Sequence, residues 1–160
     1  MTVIRRAEDD DLPQLPAIEA AADELFVPLG VDDLPPPATA AERARSWRVL
    51  VAGRPPVGFA VLEQLDGAVH LEQLSVHPGH GRRGVGGALV EAAVAEARAA
   101  GADRLTLCTY ADVPWNGPFY ARHGFVEDPD PPPALAALRA HEQELGLDRH
   151  GRRTVMVRRL

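Results

Sequence analysis

The sequence predicts a mixed α/β (α+β) domain in which a twisted, mostly antiparallel sheet is flanked by helices. Three observations carry that prediction. Residues 47–76 read as three strands joined by tight turns at 53–56 and at Asp66-Gly67, an antiparallel meander. The third strand runs into a glycine- and arginine-rich loop, a long Ala-rich helix and another strand. That order gives a right-handed crossover to a parallel neighbour. Residues 153–158 alternate enough to form a last strand. A chain of 160 residues suffices for one such domain, spanning 1–160, and is too short for two comfortable ones.

In order, residues 3–6 form a short edge-like strand. Asp9, Asp10 or Asp11 caps a helix that tolerates Pro13 in its first turn. Leu15, Ile18, Ala22, Leu25 and Phe26 recur along it at helical spacing and face a core. Residues 27–30 end this helix, a proline-rich loop covers 31–37, and 38–45 form a second, short helix. Strands are expected at 47–52, 57–65 and 69–76. The helix over 85–100 turns Leu89, Ala93, Val94 and Ala97 inward and stops at Gly101. A strand at 105–109, a short helix carrying Phe119 and Tyr120 and ended by Gly124, and a strand from Phe125 follow. An added helix near 134–145 precedes the last strand.

Composition excludes several classes. The net charge of −6 argues against nucleic acid as the main partner. Cys108 is the only cysteine, so no intrachain disulfide forms. The first residues continue into acidic positions rather than an apolar signal segment, and no stretch is apolar enough to cross a membrane, so a cytoplasmic protein is expected. The six histidines form no ligand cluster, and no metal is expected. Every basic residue is an arginine, which suggests a GC-rich coding sequence.

Against this acidic background the basic loop after residue 76 stands out. Gly84, Gly86 and Gly87 carry no Cβ, so a ligand can approach the backbone closely. The helix that begins there leaves its first N–H groups without internal partners. Those donors, the helix dipole and the guanidinium groups of Arg82 and Arg83 form an anion site suited to phosphate or pyrophosphate. An ordinary surface loop is the alternative. A Walker loop is ruled out, since the chain contains no lysine.

Two segments together, Leu74 through Leu89 and Tyr120-Ala121-Arg122-His123-Gly124-Phe125, resemble the GNAT N-acetyltransferase superfamily, which binds acetyl-CoA. The similarity extends from Val3 to the last strand. It implies that backbone amides of Arg82, Arg83, Gly84, Val85, Gly86 and Gly87 hold the pyrophosphate. Where the family usually has Arg or Gln this chain has Gly81, which leaves open which arginine touches phosphate. The resemblance further implies that the backbone of Leu74 and Val76 pairs with the pantetheine arm like an added strand, with the strand bearing Leu107 splayed away. Tyr120 then donates a proton to the departing CoA thiolate, and an N–H near Val76 polarises the thioester carbonyl.

Glu72 shares a strand face with Leu74 and is the candidate base, with His70 as the alternative. Glu19, Asp23, Glu24 and Phe26 lie where the family covers its acceptor, and Glu24 or Asp23 suits a cationic amine. Trp115 is placed to line the acceptor pocket and Asn116 to cap the helix that bears Tyr120. The expected function is transfer of acetyl from acetyl-CoA to a primary amine of a small molecule or peptide. A CoA-binding module without transfer and an enzyme for another acyl group are the competing readings. A homodimer is compatible with the resemblance.

Overall fold

A computed structural model describes residues 2–160; Met1, the first residue of the expected domain, lies outside them. The chain falls into two compact units, Met1–Glu63 with Leu71–Glu96, and Gln64–His70 with Ala97–Leu160. The first holds β1 (Ile4–Arg6), α1 (Leu15–Asp23), α2 (Ala40–Arg43), β2 (Arg48–Ala52), most of β3 (Gly58–Leu65), the end of β4 (Ala68–Val76) and most of α3 (Val85–Ala99). The second holds the start of β4, then β5 (Arg104–Tyr110), α4 (Gly117–Arg122), β6 (Val126–Glu127), α5 (Pro133–Glu144) and β7 (Arg153–Arg159). The strands form one sheet in the order β1-β2-β3-β4-β5-β7-β6, with β4 common to both units. This is the expected mixed α/β fold with a mostly antiparallel sheet.

In the first unit β1 pairs antiparallel with β2 (Ile4↔Ala52) and β2 with β3 (Val51↔Phe59). Leu15, Ile18, Val51, Phe59 and Val61 form its apolar core. The hairpin between β3 and β4 turns on Asp66 and Gly67, both at positive φ, as a two-residue turn of this hand requires. In the second unit β4 and β5 run parallel in the register Val69↔Leu105 and His70↔Thr106. On its other side β5 is antiparallel to β7 (Leu107↔Met156). Leu89, Ala93, Val94 and Ala97 of α3 are all buried, and Gly101 ends that helix with its N–H bonded to the Arg98 carbonyl.

Three local expectations are corrected. Asp11 does not cap α1. Its carboxylate instead accepts from the Glu8 N–H at 2.8 Å and pairs with Arg5 at 2.6 Å, which holds it below the usual carboxylate range. The first helix also stops early. Pro28 has no N–H to donate, so after Asp23 the chain tightens into a 3₁₀ turn, Glu24–Leu29. The changed period leaves Leu25 exposed while Phe26 stays buried. The second helix is reduced to Ala40–Arg43, starting sharply at a capping box in which Glu42 N–H donates to Thr39 Oγ1 at 3.2 Å.

Candidate active site

In the first unit β4 ends at Val76 and the chain turns at once. His77 Nδ1 accepts the Gly79 N–H at 3.0 Å and closes the 3₁₀ turn Pro78–His80. Arg82 (φ +61°) and Gly84 (φ +77°) are both left-handed. Such residues turn successive N–H groups to one side, a pattern that binds anions. An L residue pays about 1 kcal/mol in that region, so Arg82 is an informative exception. Val85 is buried and anchors the helix start, whereas Arg82, Arg83 and Gly84 are exposed. The first amides of the 15-residue α3 follow directly. The loop thus presents exposed backbone with two left-handed residues, and the exposed Arg82 and Arg83, at the start of α3.

Farther back on β4, Glu72 is exposed and accepts from Arg43 Nη1 at 2.6 Å. Arg43 Nη2 donates to Glu19 at 3.1 Å, and both Arg43 and Glu19 are buried. Arg43, delivered by α2, thus bridges two carboxylates. Burial raises the Glu19 pKa, with the Arg43 charge opposing. Asp23, one turn along α1, is pushed up to about 6 by burial and by Glu19. It lines a cavity of about 210 Å³ with Glu24, Val27, Val31 and Leu34. Phe26 is buried, so its ring belongs to the interior rather than to an open acceptor surface.

The second unit holds the neutral groups. Tyr120 is buried on α4, edge-on to Phe125 (centroids 5.7 Å apart) and to Phe119 (5.1 Å). Burial drives its phenol well above the ordinary tyrosine value. Asn116 stands at the N-terminal end of α4 but makes no side-chain cap; its Oδ1 accepts from Thr109 Oγ1 at 2.7 Å. Trp115 is 37% exposed. His70 Nδ1 lies 2.9 Å from Thr106 Oγ1, and burial lowers its pKa to about 4. Alternation along β4 gives His70 and Glu72 one face, yet His70 is only 5% exposed.

Cys108 is pushed up to about 12 by burial, which favours its thiol form at neutral pH. The added helix α5 is pinned by Arg139 to Glu142 (2.7 Å) and Asp148 (2.8 Å), and by Arg153 to Glu142 (3.0 Å). Among the described residues no His/Cys/Asp/Glu group is arranged to hold a metal, and no helix is long and apolar enough to cross a membrane.

One residue escaped sequence reasoning. Arg43 carries no local signal beyond the Thr39–Glu42 capping box that fixes its helix.

Comparison with solved structures places this architecture. The chain matches an acetyltransferase of the GNAT family from Staphylococcus aureus at a TM-score of 0.77 and 16% identity, covering 100% of this chain and 99% of that one. It matches PaiA N-acetyltransferase from Thermoplasma acidophilum in complex with coenzyme A at 0.72 and 14%, again covering 100% and 99%. It also matches N-acetylglutamate synthase from Neisseria gonorrhoeae, complexed with coenzyme A and N-acetyl-glutamate, at 0.74 and 21%; all of this chain is covered but only 35% of the synthase. At these identities the likeness is one of fold. The family model for the acetyltransferase (GNAT) family matches residues 14–125, most of the chain, and the protein belongs to that family.

Proposed function

We propose that residues 1–160 act as one domain that transfers an acetyl group from acetyl-CoA to a primary amine of a small molecule or peptide. The observation that carries this reading is the loop with left-handed Arg82 and Gly84 feeding the N-terminus of α3 in a chain of this family. Acetyl-CoA supplies the acetyl group as a thioester. The amides from Arg82 to Gly87 hold its pyrophosphate. The backbone of Leu74 and Val76, which lies beyond the β4–β5 register, takes the pantetheine arm as a strand would.

Glu72 accepts the amine proton, directly or through water. Arg43 bonds Oε2, which leaves Oε1 for that purpose. His70 is the poorer base, being buried and low in pKa. Tyr120 donates a hydrogen bond to the departing sulfur. A thiol ionises near 8.5, so complete proton transfer from so weak an acid would be uphill. Its work is to stabilise the thiolate as a donor that stays protonated. Asp23 and Glu24 attract the acceptor's positive charge before it is deprotonated.

One observation favours a second reading, a CoA-binding module without transfer: Glu72 is tied to Arg43, and His70 is buried. A thiol-release assay over a panel of amines separates the two. Turnover with a cationic amine, reduced about 100-fold in Tyr120→Phe at unchanged CoA affinity, is the expected result. Because burial raises the phenol pKa, no basic limb attributable to Tyr120 appears up to about pH 10. CoA binding without turnover for any amine would leave the binding module standing.

A further inference from the structure

We infer that Thr109 and Asn116 are positioning residues for Tyr120. Together they clamp the start of α4 to the end of β5 and so set where the phenol stands. The inference rests on the role of Tyr120 proposed above.

The clamp is built from both ends of Asn116. Its side-chain Oδ1 receives the Thr109 hydroxyl at 2.7 Å, and the Tyr110 N–H points at the same oxygen from 3.5 Å. Its backbone carbonyl receives the Tyr120 N–H at 2.9 Å. One residue thus links a buried strand hydroxyl to the peptide unit that carries the phenol. The next residue tightens the fit. Gly117 is buried, and a Cβ there would fall on the Ala111 carbonyl, so the helix start rests directly on the chain leaving β5.

Anchors of this kind decide where α4 lies. Six residues cannot hold a helix by propagation alone. At its far end the Phe125 N–H donates to the Tyr120 carbonyl at 3.1 Å, and the two rings meet edge to face. Those contacts, with the Phe119 ring, hold the phenol from the C-terminal side and from its neighbour on α4 but do not tie the helix start to β5. Thr109 supplies the other restraint: it is 3% exposed, and its hydroxyl is spent on Asn116 rather than on the sheet. A side chain chosen for capping would have bonded an α4 amide instead.

A double-mutant cycle tests the inference. Thr109→Val and Thr109→Ser are made in the parent and in Tyr120→Phe, and kcat, KM for acetyl-CoA, CoA affinity and hydrogen exchange at the residue-120 amide are measured. Thr109→Val should lower kcat about tenfold with CoA affinity unchanged, and Thr109→Ser should restore it to within about twofold. In the Tyr120→Phe background the Val substitution should cost less than about twofold. Exchange at residue 120 should quicken in Thr109→Val and not in Thr109→Ser.

The same tenfold loss in both backgrounds, a loss of CoA affinity in step with kcat, or unaltered exchange would each overturn the clamp. Full turnover in Tyr120→Phe alone would instead remove the role of Tyr120, a separate failure. Should Thr109→Val not fold, Asn116→Ala cuts the same bond from its other end and must show the same dependence on Tyr120.

Discussion

The two units hold their functional candidates under opposite electrostatic regimes. In the first, charges are matched by charges: Arg43 bonds both Glu19 and Glu72, and Arg5 pairs with Asp11. In the second, the groups around β5 and α4 are driven toward their neutral forms. Burial raises Tyr120 and Cys108 and lowers His70. Pairing fixes where a charge sits, whereas burial fixes which protonation state exists at all. The Arg43 cluster should therefore fail by losing a partner, and the buried groups around β5 and α4 by changing pH.

The largest effect is expected from breaking the match. Arg43→Met strands Glu19, which is 7% exposed, without its counter-charge. Removing one member of a buried pair typically costs about 3–5 kcal/mol. Urea unfolding at pH 7.5 should show a loss of that order. Adding Glu19→Gln should recover most of it, because the stranded charge is then gone. A loss that persists in the double variant would mean that Arg43 stabilises by packing over the Phe59 ring, 6.0 Å away, rather than by charge.

This contrast also explains what the sequence made legible. The glycine loop is legible because backbone geometry demands particular residues: Gly84 is left-handed, and α3 follows directly. The Tyr120–Phe125 segment is equally local, and its glycine, Gly124, sits at φ +87°. Arg43 was hidden because its partners lie 24 and 29 residues away, and no periodicity connects them. Asn116 was read as a cap because an amide can accept from a helix N–H or from a strand hydroxyl, and sequence does not say which is nearer. His70 shows the limit of alternation. Period two gives the face of a strand but not the depth of the cover over it.

That cover makes His70 the test of the second regime. Its pKa falls from an ordinary 6.5 to about 4 on folding, so the unfolded chain takes up the proton first. Stability is then complete above about pH 6.5 and falls as the pH drops toward 4, by roughly 3 kcal/mol from this group. His70→Asn keeps a polar atom near Thr106 and removes the titration. Its stability should be lower at pH 7.5 but flatter between pH 6.5 and 4, as read from urea midpoints across that range. A variant as acid-sensitive as the parent would move the cause to the paired carboxylates.

Asp23 gives the smallest effect and the finest distinction, since it belongs to the first unit yet behaves like the second. Among the described residues no arginine is paired with it; burial and Glu19 raise it to about 6. For an acid raised on folding the sign reverses: the folded chain holds the proton longer, so the group costs stability above pH 6 and little below pH 4. Asp23→Asn should therefore stabilise the protein at pH 7.5, by about 0.5–1 kcal/mol once solvent screening of a half-exposed site is allowed for. As the pH falls through 4 and the unfolded chain also takes up the proton, the gain should shrink toward zero, read as converging urea midpoints. If Asp23 also attracts the acceptor, the same substitution raises KM for a cationic amine and leaves KM for acetyl-CoA unchanged. A gain in stability with no change in either KM would make Asp23 an uncompensated charge without a ligand, and Glu24 would be left to receive the amine.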